Sequence, residues 1–199
     1  MASMNASGTV NRTRRFLIAA SAVGGAVAAA GAATPFFLSM FPSARARAAS
    51  APVTVDLSKV EPGMLLRTEW RSKPVWVLHR TQPMLASVQR CDSIVADPQS
   101  DLPQQPDYCR NEYRSIRPEW LVVVAICTHL GCVPLPELEA GGRSGLGNDW
   151  PGGLFCPCHG SKYDLAGRVF RDVPAPLNLV VPPYEITSAT TLVIGTHSK

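Results

Sequence analysis

Apolar and polar positions fall along this chain in three successive patterns. Residues 16–44 contain no charged side chain, and at 1.5 Å per residue the stretch 16–41 would form a helix of roughly 39 Å against about 30 Å of bilayer hydrocarbon. A transmembrane anchor is predicted there. Its middle, residues 19–33, is mostly Ala and Gly, so its pull toward lipid is weak for its length, and its small side chains suit close packing against other helices. Residues 42–52 carry almost no large apolar side chain, so nothing ties them to a core. They predict a flexible tether that, fully extended, reaches on the order of 35 Å.

From residue 53 onward the pattern is one of short apolar runs broken by turn residues. Residues 53–56 read as a first strand, and 64–69 and 75–80 as two paired strands flanking a polar turn at 70–74. Residues 120–126 form an unbroken apolar run with three consecutive valines, which suits a strand buried on both faces. Short strands are expected at 168–170, 177–181, 184–186 and 191–194. With 15 Gly and 18 Pro in the chain, no segment beyond the anchor shows sustained helical periodicity. The expected fold is mainly β: one N-terminal transmembrane helix, the tether, and an antiparallel β-sandwich over 53–199 with a small subdomain at about 127–169. Residues 133–153, rich in Gly and Pro, read as a surface excursion.

Charge alters this picture at one end. The net +4 comes from 19 Lys and Arg against 15 Asp and Glu, but Arg12, Arg14, Arg15, Arg45 and Arg47 precede residue 53, where no acidic residue occurs. The rest of the chain is nearly neutral and offers no basic surface for nucleic acid. Thr13-Arg14-Arg15-Phe16-Leu17 looks like a twin-arginine export signal, a device that carries folded proteins. Residues 1–15 would then stay in the cytoplasm of a bacterial cell, with the domain in the periplasm and one pass through the inner membrane. Three Arg before the run and two after it say little about orientation. A cleaved signal peptide is the competing reading, since residues 44–49 contain small-x-small sites, but the run far exceeds the 7–15 residues of a signal core.

Four of the six cysteines lie in two short stretches, Cys-Thr-His-Leu-Gly-Cys at 127–132 and Cys-Pro-Cys-His-Gly-Ser at 156–161. Cys127, His129, Cys156 and His159 offer two thiolates and two imidazoles. That set serves a tetrahedral structural zinc or an iron-sulfur centre in which two His replace two Cys on one iron. Both readings are open on spacing alone. Each stretch also holds a further cysteine, Cys132 or Cys158.

All twelve positions resemble the cluster loops of Rieske iron-sulfur proteins of quinol-oxidising cytochrome bc complexes. The resemblance implies one [2Fe-2S] cluster, with Cys127 and Cys156 on one iron, His129 and His159 on the other, and a Cys132–Cys158 disulfide pinning the loops. It implies that Ser161 and Tyr163 direct hydroxyls at a bridging sulfide and at the Cys127 sulfur, that Leu130 shields the cluster, and that His159 faces the quinol. It also makes 127–169 a cluster-binding subdomain. Residues 172–176, Asp-Val-Pro-Ala-Pro, match a proline-rich loop that covers the cluster and commonly reads Gly-Pro-Ala-Pro; Val173 replaces the glycine here.

The implied chemistry follows from charge. An oxidised two-iron cluster held by four thiolates is a dianion, whereas two thiolates and two neutral imidazoles leave it neutral, so an electron enters more easily. Potentials of about −150 to +300 mV result, against roughly −400 mV for plant-type clusters, and hydroxyl donors to sulfur push the same way. The implied activity is that of the iron-sulfur subunit of a quinol:cytochrome c oxidoreductase. It takes one electron and a coupled proton from ubiquinol and passes the electron to a c-type cytochrome, with cytochrome b as a further partner in a dimeric complex. The chain is incomplete as an enzyme, since it has no Cys-x-x-Cys-His for haem. Two other readings are a Rieske subunit of an arsenite oxidase and a structural zinc-binding module; a ring-hydroxylating oxygenase ferredoxin would lack the disulfide pair and the anchor.

Cys91 and Cys109 lie outside these motifs. A second disulfide between them would stabilise by about 3 kcal/mol on the chain-entropy model, and two free thiols are the alternative. His79 and His197 have no ligand-like spacing and read as structural or surface residues.

Overall fold

The computed structural model describes residues 11–44, 48 and 50–196, in two units, one ending at residue 47 and one beginning at residue 48. His197 and parts of the expected tether lie outside the described residues.

The first unit is α1 (Arg12–Ser39), a helix long and apolar enough to cross a membrane. It begins before the expected boundary at residue 16, because the Asn11 side chain caps it by accepting from the Arg14 N–H at 3.3 Å. The two signal arginines therefore belong to its first turn. Three hydroxyls along the helix donate to backbone carbonyls of the preceding turn, Ser21 to Leu17 at 2.7 Å, Thr34 to Ala30 at 2.8 Å and Ser39 to Phe36 at 2.7 Å. Such internal pairing removes the cost of carrying hydroxyls into lipid.

The second unit holds three antiparallel three-stranded sheets. In the first, β1 (Val53–Asp56) pairs with β9 (Thr191–Ile194), which pairs with β8 (Tyr184–Ile186). In the second, β3 (Lys73–His79) lies between β2 (Leu65–Trp70) and β4 (Trp120–Val124). The third places β6 (Gly153–Phe155) between β5 (Leu135–Glu137) and β7 (Lys162–Tyr163).

The β2–β3 connection is tighter than the turn expected at 70–74. Only Arg71 and Ser72 turn, both with positive φ (52° and 56°), the geometry of a two-residue hairpin. Trp70 pairs with Lys73 and Glu69 with Pro74. Trp70 is drawn inward against Gly195, where any Cβ would collide with its indole nitrogen. Pro74 lacks an N–H but accepts from Ala125 N at 2.9 Å. All five residues of β4 are buried, as its unbroken apolar run requires. His79 has a structural place, with Nδ1 2.7 Å from the Val60 carbonyl and its ring stacked on Trp120 at 4.0 Å.

Four expectations are corrected. Residues 168–170 form only isolated bridges, Val95 with Phe170 and Tyr163 with Val169. Residues 177–181 are not a strand: Leu179 N donates to Gly167, Val181 N to Gln104, and the Val180 carbonyl accepts from Val124 N, so their partners lie on unrelated segments. A second helix, α2 (Gln82–Arg90), interrupts the β pattern. Its apolar stripe is only Met84 and Val88 followed by Cys91, too brief to register as periodicity. The excursion at 133–153 is more than surface loop: it supplies β5, and Trp150 is buried, donating to the Glu137 carbonyl at 2.9 Å and lying 5.8 Å from the Phe170 ring.

Candidate metal centre

β4 delivers Cys127 and β6 delivers Cys156, and the two loops that follow repeat one backbone design. Cys127 N donates to the Cys132 carbonyl at 2.7 Å and Gly131 N to the Cys127 carbonyl at 3.0 Å; Cys156 N donates to the Ser161 carbonyl at 2.8 Å and Gly160 N to the Cys156 carbonyl at 2.9 Å. Both glycines hold left-handed backbone, with φ of 86° and 79°, where a Cβ is strained. Each loop thus closes on itself and turns its side chains toward the other.

Between the loops the side chains sort by depth. Cys127 and Cys156 are buried, His129 is half-buried and His159 is exposed, with the two imidazoles edge to face at 4.8 Å. Cys127 and Cys156 are close enough for each thiol to influence the other's pKa. Cys132 is bonded to Cys158 with Cα atoms 6.8 Å apart. The sulfurs of Cys132, Cys156 and Cys158 lie within 4.8 Å of one another, but two of these three are already joined, so they are not a ligand set. Leu130, at 71 % exposure, stands out from the tip of the first loop.

These residues fit a two-iron cluster. His129 Nδ1 is buried with no hydrogen-bond partner, a costly state for a polar nitrogen unless it serves as a ligand. One thiol is prepared as well: burial works against a thiolate at Cys127, yet hydrogen bonds from Tyr163 and from the His129 N–H outweigh it and hold its pKa below the ordinary value. At Cys156 burial dominates, and the neighbouring Cys127 adds to it, so its pKa is raised.

Tyr163 closes the site from below. Its hydroxyl donates to Cys127 Sγ at 3.2 Å and accepts from Thr128 N at 3.1 Å. Burial, and next the bond to Cys127, push its own pKa up, so it stays a donor at any ordinary pH. Ser161 Oγ, also buried, accepts from Ala175 N at 3.0 Å and so fastens the proline-rich loop to the second cluster loop. Thr128 does the same from the first loop, donating to the Leu177 carbonyl at 2.6 Å. Sequence reasoning gave Thr128 no role; the signal available was a hydroxyl between two ligands facing a proline-rich segment. In that segment the left-handed residue is Asp172 (φ 57°), one place before Val173, which moves the chain reversal off the β-branched residue.

The candidate second disulfide is not made. Cys91 and Cys109 are both free and buried, Cys91 at the end of α2 and Cys109 with its sulfur 3.7 Å from the Tyr184 hydroxyl. Burial pushes each thiol up to about 11, so both are protonated and inert.

Sheets, loops and disulfide together define a Rieske-type iron-sulfur protein, and residues 99–185 match the family described as "Rieske [2Fe-2S] domain". Residues 3–43 match a second, described as "Ubiquitinol-cytochrome C reductase Fe-S subunit TAT signal". The chain is 57 % identical over 192 residues to the ubiquinol-cytochrome c reductase iron-sulfur subunit of Allochromatium vinosum, covering 96 % of this chain and 92 % of that one. It is 46 % identical over 194 residues to the subunit of the same name in Blastochloris viridis, covering 96 % and 98 %. The chain belongs to the family of ubiquinol-cytochrome c reductase iron-sulfur subunits. Neither an arsenite-oxidase subunit nor a zinc module is favoured by these relatives.

Proposed function

We infer that this chain is the electron-accepting subunit of a ubiquinol-cytochrome c reductase and that it carries one Rieske-type [2Fe-2S] cluster. The observation that carries the reading is the graded depth of the four candidate ligands, from buried Cys127 and Cys156, through half-buried His129 with its idle nitrogen, to exposed His159. Cys127 and Cys156 would hold one iron, and His129 and His159 the other. When bound, the cluster supplies a one-electron acceptor of high potential.

The chain's own residues supply the remainder. His159, alone of the four in being exposed, accepts a hydrogen bond from ubiquinol and takes its proton. Leu130, exposed at the tip of the first loop, shields the cluster from solvent. Tyr163 steadies the Cys127 sulfur against added negative charge, and the Thr128 and Ser161 hydroxyls hold the proline-rich loop in place. The electron then passes to the c-type cytochrome of a dimeric complex that also contains cytochrome b. α1 anchors the protein in the inner membrane, with the N-terminus cytoplasmic and the domain, residues 53–199, periplasmic. Residues 42–52 act as the tether on which the domain travels between donor and acceptor.

A low-temperature EPR spectrum of the membrane-extracted protein tests this. The low average g value of a His-ligated two-iron cluster, obtained already with ascorbate, is expected. Silence under both ascorbate and dithionite, with stoichiometric zinc by metal analysis, would overturn it. Prolines inserted within residues 42–52 are expected to slow turnover with the spectrum unchanged; unaltered turnover would count against the moving tether.

A further inference from the structure

The segment leading out of the proline-rich loop is held to the site at closely spaced points. Ala175 N donates to the Ser161 hydroxyl at 3.0 Å, and the Leu177 carbonyl accepts from the Thr128 hydroxyl at 2.6 Å, so each cluster loop takes one hold. Leu179 N donates to the Gly167 carbonyl at 2.9 Å. Between these backbone holds, Asn178 binds through its side chain. Fully buried, it accepts from Val169 N at Oδ1 (2.8 Å) and donates from Nδ2 to the Asp97 carboxylate (3.2 Å). Asp97 is itself fixed, accepting from the N–H groups of Asp101 and Leu102 at 2.9 and 3.2 Å.

Only a neutral amide offers an acceptor at one end and donors at the other; a carboxylate would face Asp97 with a second acceptor, and Leu would serve neither partner. The Asn178 amide reaches the site by two routes. The first runs through the main chain: the Leu177 carbonyl belongs to the peptide whose nitrogen is that of Asn178, and the peptide is planar, so fixing Asn178 aims that carbonyl at Thr128. The second runs through Val169, which is bridged to Tyr163. Asp164 N donates to the Arg168 carbonyl and Phe170 N to the Lys162 carbonyl, which turns the Val169 N–H away from β7 and onto Asn178. Both routes end at one hydroxyl. Tyr163 accepts from Thr128 N at 3.1 Å and donates to Cys127 Sγ at 3.2 Å.

We propose that Asn178 is a positioning residue for the Tyr163 hydroxyl: one buried amide holds Thr128 on one side and the Tyr163 strand on the other, in the register at which Tyr163 donates to the Cys127 sulfur. This rests on the cluster assignment above and extends it to a residue outside both cluster loops. Hydrogen bonds in a chain polarise one another, so a Thr128 N–H aligned on the Tyr163 oxygen strengthens the donation of the Tyr163 proton to sulfur. The stronger donor favours the centre that has gained an electron.

The test is an EPR-monitored redox titration of the full-length, cluster-loaded protein in four forms: wild type, Asn178→Leu, Tyr163→Phe and the double variant. Asn178→Leu is expected to lower the equilibrium constant for one-electron reduction about twofold, or ~18 mV. In the Tyr163→Phe background the same substitution should leave the potential unchanged, because the two changes act on one bond. Loss of a merely structural anchor would lower the melting temperature in both backgrounds and leave the potential where it was. An equal fall in both backgrounds, or none in either, with spectra intact, would overturn the proposal. Should Asn178→Leu fail to load, Asn178→Asp, which keeps an oxygen for Val169 N, goes through the same cycle. Its added charge acts alike in both backgrounds, so a larger fall with Tyr163 present supports the proposal and equal falls overturn it. A wild-type protein without the two-iron signal would instead defeat the cluster assignment.

Discussion

Replacing Tyr163 by Phe removes one oxygen from the floor of the site and leaves almost everything else in place. The ring is buried and Phe fills the same volume, while Thr128 keeps its 2.6 Å bond to the Leu177 carbonyl, so the proline-rich loop stays attached. Three contacts are lost: the donation to Cys127 Sγ at 3.2 Å, the acceptance from Thr128 N at 3.1 Å and the 3.2 Å contact with Thr128 Oγ1. A hydrogen bond to a charged partner contributes about 1.5–3 kcal/mol against about 0.5–1.5 kcal/mol to a neutral one. Reduction turns a neutral centre into an anion, so the missing donor costs the reduced state about 1 kcal/mol more than the oxidised state. At 59 mV per tenfold for one electron and about 1.4 kcal/mol per tenfold, the potential should fall by about 40 mV. The orphaned Thr128 N–H costs a further ~1 kcal/mol of folding stability. An EPR-monitored redox titration gives the first quantity and denaturant melts the second. An unchanged or higher potential with an intact spectrum would refute the assignment of Tyr163 as donor to the Cys127 sulfur.

Cys158→Ser opens the disulfide that closes a separation of 26 residues, and should cost roughly 3.5 kcal/mol, seen as a lower melting temperature and faster cluster loss; unaltered melting would mean the loops are held by other bonds. Gly153→Ala places a Cβ against the Tyr163 carbonyl oxygen and 3.1 Å from its carbon, so β6 and β7 must part, and purified protein should carry little cluster by iron analysis. Cys91 and Cys109 should resist alkylation in the native protein and both label in denaturant without reductant, whereas no labelling under those conditions would restore the bridge. Each thiol is raised from an ordinary 9.0 to about 11, so between those pH values the unfolded chain releases protons that the folded one keeps, and stability falls as pH rises. Replacing both by Ala should flatten that fall in melts taken from pH 9 to 11.

What could be read from the sequence, and what could not, divides along a physical line. Local chemistry was legible. The charge-free run gave α1, the three valines of β4 gave a strand buried on both faces, and the family resemblance of the two cysteine-histidine stretches gave the bond between Cys132 and Cys158. Features that depend on partners distant in sequence were not. Residues 177–181 look like a strand because they are apolar, but their N–H groups and carbonyls meet three separate segments. α2 escaped notice because a nine-residue helix with two or three core positions has too short a period to detect. Trp70 extended its strand into an expected turn because Gly195, more than a hundred residues on, leaves room for its indole. The role of Thr128 needed the Leu177 carbonyl to be seen beside it.

The duplicated backbone of the two cluster loops has an evolutionary side. Slot by slot, the third position holds His129 in one loop and Cys158 in the other, the fourth holds Leu130 or His159, and the sixth holds Cys132 or Ser161. One frame carries ligand, shield, cross-link and hydroxyl in different places, so the side chains can be reassigned without redrawing the main chain. Because each frame is closed by its own pair of hydrogen bonds, the segment joining them is under no tension from the site. Doubling a flexible loop adds only about 0.6 kcal/mol, so the excursion around residues 139–149 can lengthen, shorten or take on a new surface while the metal cradle keeps its shape.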